Sequence, residues 1–227
     1  MDYSKKTKDR YDERLAKFGY NPKTLGWLKG RQGIRFSVLT SIGTMNNSNI
    51  LDVGCGFGDL CGFLKYKKLK FQYLGLELNP NLIEYGKDRY LQANFKIFDI
   101  EKNNIIGKYD WVIISGLFNF KRDNPYWFIE FVLRKVFRSC RKGVSVDFMT
   151  SYVDFKNRNA NYVEPEKIMK ICKKITPRMS LRHDYMPFKF CVYLYKNDKK
   201  TTNNIFMEYY RSLDKYFRTN KWLKKIN

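Results

Sequence analysis

The sequence predicts an α/β fold, a doubly wound sheet assembled from repeated strand–helix units. From Asn49 onward, short apolar strands alternate with stretches of helical period, and the first strand runs directly into a glycine cluster at Gly54, Gly56 and Gly58. The last two strands are separated only by a short turn containing Met186-Pro187, so they are expected to pair as an antiparallel hairpin. An ordinary dinucleotide fold ends instead on a parallel strand.

Lys5 to Phe18 and Lys23 to Ile42 read as two helices, parted by the Gly19-Tyr20-Asn21-Pro22 break. They make an N-terminal cap over residues 1–47. The core, residues 48–196, opens with the strand Asn49 to Val53, the glycine loop and a helix through Leu60, Phe63 and Leu64. Tyr73 to Glu77 is the second strand, and Asn79-Pro80 supplies an N-cap and first-turn proline for a helix reaching about Leu91. Phe95 to Phe98 is the third strand. Tyr109 to Ser115 is the fourth, and its apolar run Trp111-Val112-Ile113-Ile114 suits a strand covered on both faces. A helix from Pro125 to Cys140, a strand from Val144 to Met149 and a helix opening at Glu164-Pro165-Glu166 lead to the hairpin strands Met179 to His183 and Phe190 to Tyr195. Residues 197–227 read as a polar linker and a basic helical extension, with Ile205, Tyr209, Leu213, Tyr216 and Phe217 as its apolar stripe.

The chain has 227 residues, 44% hydrophobic and 17% aromatic, which suits a folded domain rather than a disordered one. Charged residues follow Met1 directly and no apolar run is long enough to span a bilayer, so a cytoplasmic protein without membrane contact is expected. Five cysteines without a CxxC pair suit buried thiols, and no metal site is expected. The net charge of +22 points towards acidic partners such as RNA. The abundance of Lys, Asn, Ile and Tyr is equally what an AT-rich genome would encode.

A glycine loop after a buried strand lets a ligand lie against the backbone and the free N–H groups of the next helix. The GxGxG spacing followed by Asp59 departs from the GxGxxG dinucleotide fingerprint. Glu77, ending the second strand, is placed to accept from both hydroxyls of a ribose. Asp99, after the third strand, would border an adenine, and Asp52, before the glycines, would face a cationic amino group.

These residues, in Leu51-Asp52-Val53-Gly54-Cys55-Gly56-Phe57-Gly58-Asp59-Leu60, Gly75-Leu76-Glu77, Phe98-Asp99-Ile100 and Tyr109-Asp110-Trp111-Val112, resemble the class I, seven-stranded methyltransferases over about residues 48 to 195. The resemblance implies a Rossmann-like sheet of order 3-2-1-4-5-7-6 with its last strand antiparallel. It also implies S-adenosyl-L-methionine as cofactor, contacted by Asp52, Gly54, Cys55, Gly56, Phe57, Gly58, Glu77, Leu78, Asp99, Ile100 and Ser115.

Methyl transfer then needs an aligned nucleophile and, for a hydroxyl, a proton acceptor. His183, the only histidine, with Asp184 beside it, is either a general base or a structural residue closing the hairpin. Asp147, inside an apolar strand, needs a partner or substrate to justify its burial. Asn119, Tyr152 and Asp154 complete the candidates. Ser115-Gly116-Leu117-Phe118-Asn119-Phe120 lacks the Pro-Pro motif of enzymes that methylate exocyclic base amines, and no cysteine stands in a Pro-Cys context. The expected acceptor is an oxygen or nitrogen of a small molecule or glycan, with RNA as the alternative.

Overall fold

The computed structural model describes residues 2–27, 31–196, 207, 210, 212, 213 and 215. Residues 1–195 form one compact unit and 196–227 a second. The expected last helix, with Ile205, Tyr209, Tyr216 and Phe217, lies largely outside the described residues.

The first unit runs α1 (Tyr3–Phe18), α2 (Gln32–Thr40), β1 (Ser48–Val53), α3 (Asp59–Tyr66), β2 (Phe71–Glu77), α4 (Pro80–Arg89), β3 (Asn94–Ile97) and β4 (Tyr109–Ile114). It continues through a short 3-10 turn at Leu117–Asn119, α5 (Pro125–Ser139), β5 (Cys140–Met149), α6 (Pro165–Lys173), β6 (Met179–Met186) and β7 (Lys189–Tyr195). The seven strands lie in the order β3-β2-β1-β4-β5-β7-β6. β1 pairs parallel with β2 and β4, while β7 runs antiparallel between β5 and β6. This is the Rossmann-like arrangement that the resemblance implied.

Strand alternation explains how both faces are covered. Leu51, Val112 and Ile114 point to a core shared with Ile129, Val132 and Val136 of α5 and Ile168 of α6. Ile50, Trp111 and Ile113 point the other way, to Leu39 of α2 and to Leu60 and Leu64 of α3. With helices on both faces, the carboxyl ends of β1 and β4 diverge at the point where strand order reverses, and a crevice opens there.

Caps explain several boundaries. Asp2 accepts from Lys5 N to start α1, and Asn79 Oδ1 accepts from Asn81 N at 2.8 Å ahead of Pro80 to start α4. The helix expected from Lys23 begins only at Gln32. Residues 22–26 turn instead, with Gly26 at φ +88° and the Trp27 amide donating back to Pro22 O. β5 starts at Cys140 because the last residue of α5 passes straight into extended backbone without a loop. β6 runs on to Met186 through an irregularity after Arg182.

Among the described residues no helix is long and apolar enough to cross a membrane, and no group of three or more His, Cys, Asp or Glu could hold a metal ion. All five cysteines are free and buried.

Gly58 stands at φ +78°, and a Cβ there would lie 2.6 Å from the Phe95 ring. Gly58→Ala is therefore expected to destabilise the unit by about 1–3 kcal/mol, from the left-handed backbone alone. A thermal melt lowered by several degrees would agree, and an unchanged melt would contradict the close approach.

Candidate active site

A cavity of about 670 Å³ opens at the carboxyl ends of the central strands. Its wall on the β1–β2–β3 side is acidic. Asp52, Gly54, Cys55, Gly56, Glu77 and Leu78 line it, and Asp99 and Ile100 extend it past β3. Phe57 and Gly58 do not line it. Phe57 packs beneath the loop against Tyr20, with ring centroids 4.8 Å apart.

Glu77 is held by the backbone around it. Its Oε2 accepts from Gly56 N at 2.9 Å, and its Oε1 accepts from Leu78 N at 2.8 Å and Asn79 N at 3.0 Å. Burial still raises its carboxyl above the ordinary value, although all three amides act to lower it. Oε2 keeps a lone pair for a hydroxyl donor from the cavity, whereas Oε1 already accepts two hydrogen bonds. Asp52, 3% exposed, accepts from Tyr73 Oη at 2.8 Å. Burial outweighs that hydrogen bond and pushes its carboxyl up to about 7. Asp99 accepts from Ser4 Oγ of α1 at 2.7 Å.

The β4–β5–β7 side is cationic. Arg35 from α2 and Lys189 from β7, both 3% exposed, face Asp147 of β5, which is fully buried. Lys189 Nζ donates to Asp147 Oδ2 at 3.3 Å and to Asn119 Oδ1 at 3.2 Å. Arg35 Nη2 donates to Ser115 Oγ at 3.0 Å, and its guanidinium lies 3.2 Å from the centroid of the Trp27 ring. Asp147 Oδ1 accepts from Gly116 N at 2.7 Å. Burial acts to raise the Asp147 carboxyl, but Lys189, Arg35 and the Gly116 amide outweigh it and hold it below its usual value. Burial pulls the Lys189 ammonium down to about 8 against the opposing pull of Asp147.

Ser115 and Asn119 thus border the cavity, and Asp147 stands behind its wall. The structure does not bring His183 or Asp184 to it. The His183 ring sits on β6 between Tyr152 and Phe190, with centroids 6.3 and 6.1 Å away, and its Nε2 is buried without a hydrogen-bond partner among the described residues. Asp184 is exposed and clasped by Arg182 at 2.7 and 3.1 Å. Tyr152 and Asp154 are exposed and line none of the cavity.

Arg35, Lys189 and Trp27 escape the sequence reading, as does the place of α1, expected only as part of a cap, which lays Tyr3, Ser4, Thr7 and Arg10 along the cavity. Polar contacts hold α1 there, notably Asp12, which accepts from Asn79 Nδ2 at 2.8 Å and Asn81 Nδ2 at 2.9 Å. A signal for Arg35 exists, since it shares the apolar helix face of Leu39 and Ile42 at spacings of four and seven. Lys189 likewise stands alone between Phe188 and Phe190 at the head of an apolar strand.

The family described as methyltransferase domain matches residues 50–143. A Mycobacterium tuberculosis protein with a provisional methyltransferase name is 28% identical over 158 residues, covering 65% of this chain and 93% of that protein. The malonyl-[acyl-carrier protein] O-methyltransferase of Acetivibrio thermocellus is 27% identical over 148 residues, covering 63% of this chain and 50% of that one. Among solved structures, the magnesium protoporphyrin IX methyltransferase of Synechocystis, with bound S-adenosylhomocysteine, superposes with a TM-score of 0.61 at 14% identity, covering 83% of this chain and 93% of its own. At that identity the likeness establishes the fold.

In Asp147→Asn the Lys189 ammonium loses the charge that raises it, so its titration should move further below about 8. Lysine-selective NMR reads the midpoint. An unchanged or raised midpoint would contradict the pairing.

Proposed function

We propose that this chain is a class I S-adenosylmethionine-dependent methyltransferase that passes a methyl group to an oxygen or nitrogen of a small-molecule or glycan-type acceptor held beyond β4. The cofactor would supply an electrophilic methyl group on a sulfonium centre. The observation that carries the reading is the Glu77 carboxylate, buried, fixed by three backbone amides and open to the cavity. That acceptor chemistry fits a ribose, with the free lone pair of Oε2 able to take a hydroxyl hydrogen. Asp99 and Ile100 would border the adenine, and Asp52 would face the cationic amino group. Gly54 and Gly56, at φ +74° and +56°, keep the backbone bare beside them.

In-line displacement asks the protein chiefly for alignment. Ser115 and Asn119 border the place where the accepting atom would lie, each fixed by a cation, Arg35 or Lys189. Asp147, held ionised by its two cations, orients them and is poorly suited to take a proton. A cavity of about 670 Å³ falls within the ~300–1,000 Å³ of small-molecule sites, which supports a compact acceptor beside the cofactor. The cations lining it also have internal uses, as Arg122 pairs with Glu101 at 2.8 Å and Arg14 donates to Thr24 O at 2.8 Å.

Incubation with methyl-labelled S-adenosylmethionine and either a small-molecule cell extract or total RNA tests the acceptor class. Label in small molecules supports it, and label confined to RNA overturns it. Glu77→Ala should weaken S-adenosylhomocysteine binding by about 1.5–3 kcal/mol for each ribose hydrogen bond lost, as read by calorimetry. His183→Ala should leave turnover close to wild type, because His183 does not border the cavity. A large loss of turnover in a folded variant would restore it to the reacting site.

Asp52 gives the binding a pH dependence. With its carboxyl at about 7 in the free protein, the charged form that favours a cationic amino group predominates above pH 7 and is lost as pH falls through it. S-adenosylhomocysteine should bind more weakly at pH 6 than at pH 8. Equal affinities would contradict a role for Asp52.

A further inference from the structure

The cationic wall has more charge than its own partners neutralise. Arg35 and Lys189 share one carboxylate, Asp147, and all three side chains are at most 3% exposed. Desolvating a charge costs free energy that only a counter-charge or hydrogen bonds recover, so a second buried cation beside a single carboxylate is left short by one negative charge. The shortfall also shows in the hydrogen bonds. Arg35 Nε is buried, 3.6 Å from Asp147 Oδ2, and has no hydrogen-bond partner among the described residues. Among the described residues Lys189 Nζ makes only two hydrogen bonds, at 3.2 and 3.3 Å to Asn119 and Asp147, and lies 5.6 Å from the Trp27 ring centroid. Both side chains line the cavity.

We propose that Arg35 and Lys189 form an anion subsite that holds a carboxylate or phosphate group of the methyl acceptor. The inference rests on the methyltransferase reading and narrows its acceptor from any compact molecule to an anionic one. The subsite lies on the β4–β5–β7 side, across the strand-order reversal from Glu77 and Asp99, which serve the ribose and adenine. It is rigid before any ligand arrives. Ser115 Oγ and the Trp27 ring fix the guanidinium, while Asn119 and Asp147 fix the ammonium, so little side-chain freedom is lost when an anion binds. A planar guanidinium beside a point-charge ammonium suits an oxyanion with two or three oxygens.

The test uses the full chain saturated with S-adenosylhomocysteine, titrated with benzoate, phenyl phosphate and neutral benzamide and followed by ligand-observed NMR. At least one of the two anions should bind, tighter than benzamide, and the stronger of them identifies the group as carboxylate or phosphate. Arg35→Gln and Lys189→Gln, on separate elements, should each weaken that anion tenfold or more while S-adenosylhomocysteine affinity stays within a few-fold of wild type. Their melting curves report whether each remains folded, and either folded variant suffices. Benzamide binding as well as the anions, or anions binding the variants unchanged, would overturn the proposal. So would a parallel loss of S-adenosylhomocysteine affinity in both variants, which would assign the cations to the cofactor's own carboxylate. Failure of the wild type to bind S-adenosylhomocysteine at all would strike the methyltransferase reading instead.

Discussion

Glu77 ends β2 by accepting hydrogen bonds from three backbone amides, one of which, Gly56, belongs to the loop after β1. A single buried carboxylate thereby ties together the carboxyl ends of two adjacent parallel strands. The glycine loop is tied to β2 a second time by Gly54 N and Cys55 N, which both donate to Leu76 O. These few bonds hold the loop and leave Glu77, with one lone pair of Oε2 free, lining the cavity. The same residue that shapes the site therefore supplies its most specific recognition group.

The cavity divides electrostatically along the line where strand order reverses. Acids gather at the carboxyl ends of β1, β2 and β3, Asp52 and Glu77 buried and Asp99 half-buried, and two buried cations gather between α2 and β7. Each set is costly in isolation, and each suits a different part of a two-substrate reaction. On the proposed reading the acids would meet hydroxyl, amino and adenine donors, and the cations would meet an anion. The net charge of +22 adds a field that favours anionic molecules near the protein without deciding which of them fits.

Much of this was legible because it depends on local pattern. Apolar runs such as Trp111-Val112-Ile113-Ile114, the glycine spacing and Glu77 at a strand end are short-range signals, and the strand order followed from the resemblance they support. The burial of Asp147 within an apolar strand was also legible, together with its need for a partner. The partners were not. Lys189 is 42 residues from Asp147 in sequence and Arg35 lies on another element altogether, so only the folded sheet brings them together. In a chain this rich in lysine and arginine, the apolar settings of Arg35 and Lys189 are weak signals that do not say which carboxylate they meet. His183 drew notice by being the sole histidine, a compositional signal rather than a positional one, and the irregular strand after Arg182 leaves it facing Tyr152 and Phe190.

The central claim, that the glycine loop and Glu77 form a site for S-adenosylmethionine and not for a dinucleotide, is tested most directly by calorimetric titration with S-adenosylhomocysteine and NAD side by side. Saturable binding of S-adenosylhomocysteine with no heat from NAD is the predicted result. Binding of NAD in preference, or of neither, would contradict it.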